Sequence, residues 1–234
     1  MITAEQKAHF DTFGFLVLRQ LFSAAETEKL VGEYEEIMDE DREGRPFKGE
    51  RQSIHPFVEI RAHLIELIDD DRIYGTVEEL LGPGFVWVAS DGNYYVGDTQ
   101  WHGGNGEPPV LQHIKVAIYP DPVMRDTGSL RVIPGSHIPE YQKKLRNLRE
   151  QFDDPSKEPF GVPGAEVPAV ALESQPGDMV FFSENLWHSS FGGSPGRRMF
   201  TLIYYGNPDT EEKREYVRQF QKRTKAMFHP HDTF

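Results

Sequence analysis

The chain has 234 residues, enough to bury a sizeable core, and 38 acidic against 25 basic side chains leave a formal charge of −13. That balance excludes a surface built to neutralise a nucleic-acid polymer or an anionic membrane, but not one small anionic ligand held by two or three local cations. The absence of cysteine excludes disulfides, thiolate zinc sites, iron–sulfur clusters and a cysteine nucleophile, so any metal must be held by histidine, carboxylate and water. In chain order, the start carries no basic-then-apolar leader pattern, and no apolar run anywhere reaches about 18 residues, so a soluble, cytoplasmic protein is expected. Thr3 with Gln6 forms a capping box that opens a first helix, and Gly14 to Leu18 is a compact β-like run. Ser23 with Glu26 opens a second helix through Leu30, Val31, Tyr34 and Ile37. Residues 39–51 are polar and charged and read as a mobile loop, and helices are predicted over 57–68 and 73–81.

Beyond Gly82-Pro83-Gly84 the texture changes. Short runs rich in β-branched and aromatic residues occur at 85–88, 93–96, 111–119, 129–133, 179–182 and 199–205, separated by Gly, Pro, Asp and Asn. That is the pattern of an all-β sandwich or barrel with helices packed outside it. The charged, proline-bearing stretch 138–168 reads as an insertion or lid, and 211–227 returns to helical text. No repeat or low-complexity tract divides the chain, so residues 1–234 are read as a single domain.

Of nine histidines, His9, His55, His63, His229 and His231 lie in helical, loop or terminal contexts that give them no chemical setting. His102 and His188 differ. His102 follows a strand in Gln100-Trp101-His102-Gly103-Gly104, and His188 closes a strand that begins at the Pro176-Gly177-Asp178 turn. Arg197 and Arg198 lead into the last strand, where alternation sends only one of them inward. A cation buried in a barrel needs an anion to offset it, and a dicarboxylate would supply one.

These pieces, with Gly128 to His137 (GSLRVIPGSH) between them, resemble in order the phytanoyl-CoA dioxygenase family across nearly the whole chain. The resemblance implies a mainly β protein with flanking helices, a double-stranded β-helix (jelly-roll, cupin-like) that uses Fe(II), 2-oxoglutarate and O2. It implies His102 and His188 as iron ligands, Arg197 (with Arg198 as fallback) and Thr201 at 2-oxoglutarate, and Gln112 or His113 at the cosubstrate's other end. Ser190 is a further pocket companion, His137 a structural landmark, and one of Tyr94 and Tyr95 lines the pocket. The family's third iron ligand is a carboxylate two residues after the first histidine. Here that position is Gly104.

Three readings of Gly104 follow. In the preferred one, chloride takes the vacated iron site, as in the halogenases of this class, and backbone N–H groups of the Gly-Gly-Asn-Gly run help hold it. The chain is then an Fe(II)/2-oxoglutarate-dependent halogenase that chlorinates an unactivated carbon in natural-product (antibiotic) biosynthesis. In the second, Glu107 or Asp98 supplies the carboxylate and the protein is a hydroxylase. In the third, the metal site is lost and the fold only binds. The acidic balance disfavours a carrier-protein partner, leaving a free small molecule, nucleotide-like or amino-acid-like. Arg42, Arg45, Lys48 and Arg51 form a basic cluster in an acidic chain: a solvated loop, or a grip on a phosphate or carboxylate.

Overall fold

In the computed structural model, residues 2–104 and 109–225 are described. Helix α1 (Ala4–Phe13) and helix α2 (Ala24–Asp41) begin at the two capping boxes, with Thr3 and Ser23 as the caps. Strand β1 (Phe15–Leu18) lies between them. The loop that follows α2 returns through β2 (Gln52–Ile54). The helix predicted over 57–68 is broken into a 3-10 turn at Val58–Ile60, the short α3 (Ala62–Ile65) and a second 3-10 turn at Glu66–Ile68. Side chains capture backbone donors on both sides of the break, at the start of the segment and at His63 and Leu64, which a continuous helix would use internally. Ser90 Oγ accepts from Phe57 N and Val58 N, the Glu33 carboxylate accepts from His63 N and Leu64 N, and Arg61 between them is extended. Helix α4 (Asp71–Leu81) then leads into the β-core.

That core consists of β3 (Val86–Tyr95), β4 (Thr99–His102), β5 (His113–Ile118), β6 (Leu130–Val132), β7 (Val170–Leu172), β8 (Met179–Ser183), β9 (His188–Ser190) and β10 (Arg197–Tyr205). The runs predicted at 85–88 and 93–96 are one continuous strand. A six-stranded sheet in the order β1-β8-β5-β10-β3-β2 faces a four-stranded sheet in the order β4-β9-β6-β7, with all pairs antiparallel. These two sheets form the jelly-roll. Inside the 138–168 stretch lie the short helices α5 (Pro139–Lys144) and α6 (Arg149–Asp153). Helix α7 (Glu211–Lys225) ends the described chain, two residues short of the predicted 227, which lies outside it. No helix among the described residues is long and apolar enough to cross a membrane.

The period of two along each strand sorts side chains between two layers. On the outer face of the large sheet, Ile114, Val116, Phe181, Phe200, Leu202 and Tyr204 pack with Tyr34, Ile37, Met38, Phe57 and Val77 from the helical layer. Between the sheets, Ala117, Val180 and Phe182 meet Leu130, Val132 and Leu172. The same alternation carries Asp91, Tyr95, Lys115, Arg197 and Thr201 to the inner face, where they line an enclosed cavity.

Candidate active site

The small sheet brings the two histidines together. β4 and β9 pair with His102 opposite His188, and the ring centroids are 4.0 Å apart. Each ring is oriented by its own chain. His102 Nδ1 lies 2.8 Å from Gln100 O, and His188 Nδ1 lies 2.7 Å from Leu186 O. With Nδ1–H donated to a carbonyl, the remaining lone pair of each imidazole sits on Nε2, the arrangement a metal ligand needs. Burial disfavours the imidazolium form of both, and His188, which also feels His102, is held well below the ordinary histidine range. Both therefore stay neutral and able to ligate at neutral pH.

Opposite them, β10 supplies the cation. Arg197 is buried, donates from Nη1 to Ser190 Oγ, and has its guanidinium 4.9 Å from the Tyr95 ring centroid. Ser190 Oγ in turn donates to Gly128 O at 2.8 Å. The backbone is cut away to make room for this arginine. A Cβ added at Gly128, whose φ is +93°, would lie 2.0 Å from Nη1, and one at Gly193 would lie 2.5 Å from it. Among the described residues no carboxylate forms an ion pair with Arg197, and burial lowers its proton affinity. Arg198 points the other way. It is tied to Asp121 and Glu35 on the outer side of the sheet, which removes it as the fallback.

The cavity between the histidines and Arg197 holds about 90 Å³. Thr201 lines it and donates to Asp91 Oδ2 at 2.5 Å, and Tyr95, rather than Tyr94, faces in. Gln112 is not brought there. It lines a separate groove with Phe10, Leu81 and Asn185, and its carbonyl accepts from Gly206 N at 2.8 Å. His113 sits outside as well, 3.5 Å from Glu184 Oε2. His137 packs against Gly14, in a structural setting. Lys115 was missed by sequence reasoning. Its Nζ is 3.1 Å from Glu184 Oε1; burial works against its charge, but Glu184 and Asp91 outweigh that and raise its pKa. A lysine inside an otherwise apolar strand, in phase with Ala117, was the available signal.

The corner at Gly104 differs from the expectation of an open site. A Cβ there would lie 2.6 Å from both Asn185 Oδ1 and Gln142 Nε2, so two amides already fill the direction in which a side chain would leave. The Gly104 N–H is directed at Asn185 O, 3.4 Å away, and is not offered to a halide. Asp98 is also spoken for, since its Oδ1 accepts from Gly192 N at 2.8 Å. Glu107 lies outside the described residues. Among the described residues no three His, Asp or Glu side chains gather in metal-binding geometry. The residues present thus fit a non-haem metal through two imidazoles, and 2-oxoglutarate through a buried arginine that needs an anion. Part of the predicted lid stands nearby: the Phe152 ring of α6 is 5.7 Å from the His102 ring.

A jelly-roll with two neutral histidines and an uncompensated arginine around one cavity defines a class, the non-haem Fe(II)- and 2-oxoglutarate-dependent oxygenases. Residues 10–200 match the family described as Phytanoyl-CoA dioxygenase (PhyH), and the chain belongs to that family. Among curated relatives, an ectoine dioxygenase of Nocardia farcinica is 26% identical over 81% of this chain and 72% of its own length. Another from Sphingopyxis alaskensis is 28% identical over 87% and 76%. Among solved structures, HygX from Streptomyces hygroscopicus, with nickel and 2-oxoglutarate bound, superposes with a TM-score of 0.70 at 22% identity over 88% of each chain. HygX is similar to the chain in fold, and both curated relatives bear the name dioxygenase.

Proposed function

We propose that the chain is an Fe(II)- and 2-oxoglutarate-dependent hydroxylase of a free small molecule. The observation that carries this reading is the buried Arg197, without a carboxylate partner, across a small cavity from two histidines whose Nε2 atoms are available. His102 and His188 would hold the iron, and Arg197 with Ser190 would fix the far carboxylate of 2-oxoglutarate, with Thr201 and Asp91 beside it. Bound iron and 2-oxoglutarate supply the oxidising chemistry, in which O2 and the cosubstrate give succinate, carbon dioxide and one oxygen atom for the substrate. The chain's own contribution is to keep both imidazoles neutral, to orient them through backbone carbonyls, and to hold the cosubstrate in a water-poor cavity. The ectoine dioxygenase relatives support hydroxylation and make ectoine the first substrate to try.

Gly104 favours a second reading, chlorination, because no described carboxylate takes the third ligand position. One experiment separates the two. The iron(II)-loaded protein is supplied with 2-oxoglutarate, O2 and ectoine or related small acids, in chloride and in sulfate buffer, and products are weighed by mass spectrometry. Hydroxylation predicts one added oxygen atom and the same yield in both buffers. A chlorinated, chloride-dependent product overturns it, and chlorination that persisted in Gly104→Asp would in turn remove the halide from that corner. A protein that binds neither metal nor 2-oxoglutarate would be a binding module.

A further inference from the structure

The basic loop between α2 and β2 is anchored beside the site through Phe47, while Arg45, Lys48 and Arg51 are exposed. Phe47 stacks on Tyr94 with centroids 5.0 Å apart, and a Cβ at Gly196, next to Arg197, would lie 3.3 Å from Phe47 Cε1. The loop encloses a groove of about 580 Å³ lined by Arg42, Arg45, Lys48 and Arg51, with Asp41 and Glu50 as its carboxylates. Two of the four cations are committed. Arg42 donates to Gln52 Oε1 and to Arg45 O, each at 3.0 Å, and Arg45 pairs with Glu43 at 3.0 Å. Lys48 and Arg51 form no ion pair with any carboxylate of the described residues.

Arg51 is also the link to the cavity. Its guanidinium lies 4.7 Å from the centroid of the Tyr95 ring, the ring that Arg197 approaches at 4.9 Å. Two guanidinium groups share one aromatic ring with no described carboxylate paired to either. Arg197 is buried and calls for an anion, which the cavity takes; Arg51 is exposed, and the open groove leaves its outer face to a second molecule. The groove lining carries four cations against the two carboxylates Asp41 and Glu50, a local balance opposite in sign to the chain's −13 and favourable to an approaching anion.

We propose that Lys48 and Arg51 form a second anion site, which takes a carboxylate or phosphate group of the organic substrate. This rests on the reading of the protein as a 2-oxoglutarate-dependent oxygenase. Arg51 offers a planar fork for an oxyanion, and Lys48 adds a compact charge on a flexible stem. The substrate class is thereby an acid-bearing small molecule, and a neutral one would leave this groove unused.

The test uses the full chain loaded with nickel(II) and saturated with 2-oxoglutarate, titrated at low salt with phenyl phosphate and, separately, with phenylacetate. Binding of one probe, weakened by added salt, is expected, and the stronger of the two names the oxyanion. Lys48→Glu and the double variant Lys48→Ala/Arg51→Ala should each weaken that probe by about tenfold or more. Lys48→Glu should leave 2-oxoglutarate affinity unchanged, and Lys213→Ala, on α7 and outside the groove, should alter nothing. Wild-type binding of neither probe, or undiminished binding in Lys48→Glu, overturns the anion site while the oxygenase reading stands. Failure of the wild type to bind 2-oxoglutarate at all would overturn the oxygenase reading itself.

Discussion

Arg197 sets the chemistry of the cavity by what it lacks. A guanidinium held between Tyr95 and Ser190, without a carboxylate, is stabilised only when an anionic ligand arrives. Arg197→Ala should therefore weaken 2-oxoglutarate about 100-fold or more, as expected when one partner of a buried charge pair is lost. Calorimetric titration of the nickel-loaded protein reads this directly, and metal affinity should be unchanged. Gly128→Ala should reach the same cosubstrate defect by another route, because its Cβ would overlap Nη1 and its φ of +93° strains any side chain. That strain costs about 1–3 kcal/mol in stability, measurable by denaturant unfolding. Unaltered 2-oxoglutarate affinity in Gly128→Ala would show that the guanidinium does not depend on this cradle. At this scale much was legible. Alternation along one strand separated Arg197 from Arg198, and His102 does end its strand. His188, by contrast, opens β9 and does not close the strand that follows the Pro-Gly-Asp turn, which stops at Ser183. Gln112 was misplaced because the strand begins one residue later, at His113, which leaves Gln112 outside the ladder. Lys115 went unremarked, since nothing in the local text of its strand names the Glu184 that offsets its charge 69 positions away.

Among the elements, β5 and the turn after β8 are fastened through the pair Lys115 and Glu184, with His113 alongside. Burial raises the Glu184 pKa, but the Lys115 charge and its hydrogen bond more than reverse this and bring it to about 2. A carboxylate depressed in the folded state contributes stability above its ordinary pKa and loses it as pH falls through the folded value. Glu184→Gln should thus destabilise the protein by about 2 kcal/mol at neutral pH, at the low end for a buried pair because both groups are partly exposed. The difference from wild type should shrink as pH falls from about 4.5 toward 2 in parallel unfolding titrations, since acid neutralises the wild-type carboxylate too. A gap that held constant with pH would mean the pair does not carry it. The elements that escaped sequence reasoning are the three- and four-residue strands β2, β4, β7 and β9. β4 and β9 are short and place histidine and serine on their inner side, so they lack the apolar alternation that marks a strand. The helix expected over 57–68 failed for the opposite reason, since the distant Glu33 carboxylate claims the His63 and Leu64 donors that an intact helix would use.

For the whole molecule, an all-β core was legible because turn signals and apolar runs recur along some 120 residues, the jelly-roll order came only with the family resemblance, and the helical layer follows from capping boxes and amphipathic faces. The reaction was less so. Gly104 pointed to a vacated ligand site, yet that corner is filled by the Gln142 and Asn185 amides, and the curated relatives are dioxygenases. A single glycine letter carries no record of which neighbours fill its space. Function in this molecule depends on the cavity being a metal and 2-oxoglutarate site organised by His102, His188 and Arg197. Titration of iron(II) under anaerobic conditions, followed by 2-oxoglutarate, into wild type and His102→Ala/His188→Ala tests it most directly. The wild type should bind one metal ion and then one cosubstrate, and the double variant should retain its fold but bind no metal. A double variant that takes up iron and 2-oxoglutarate as the wild type does would contradict it.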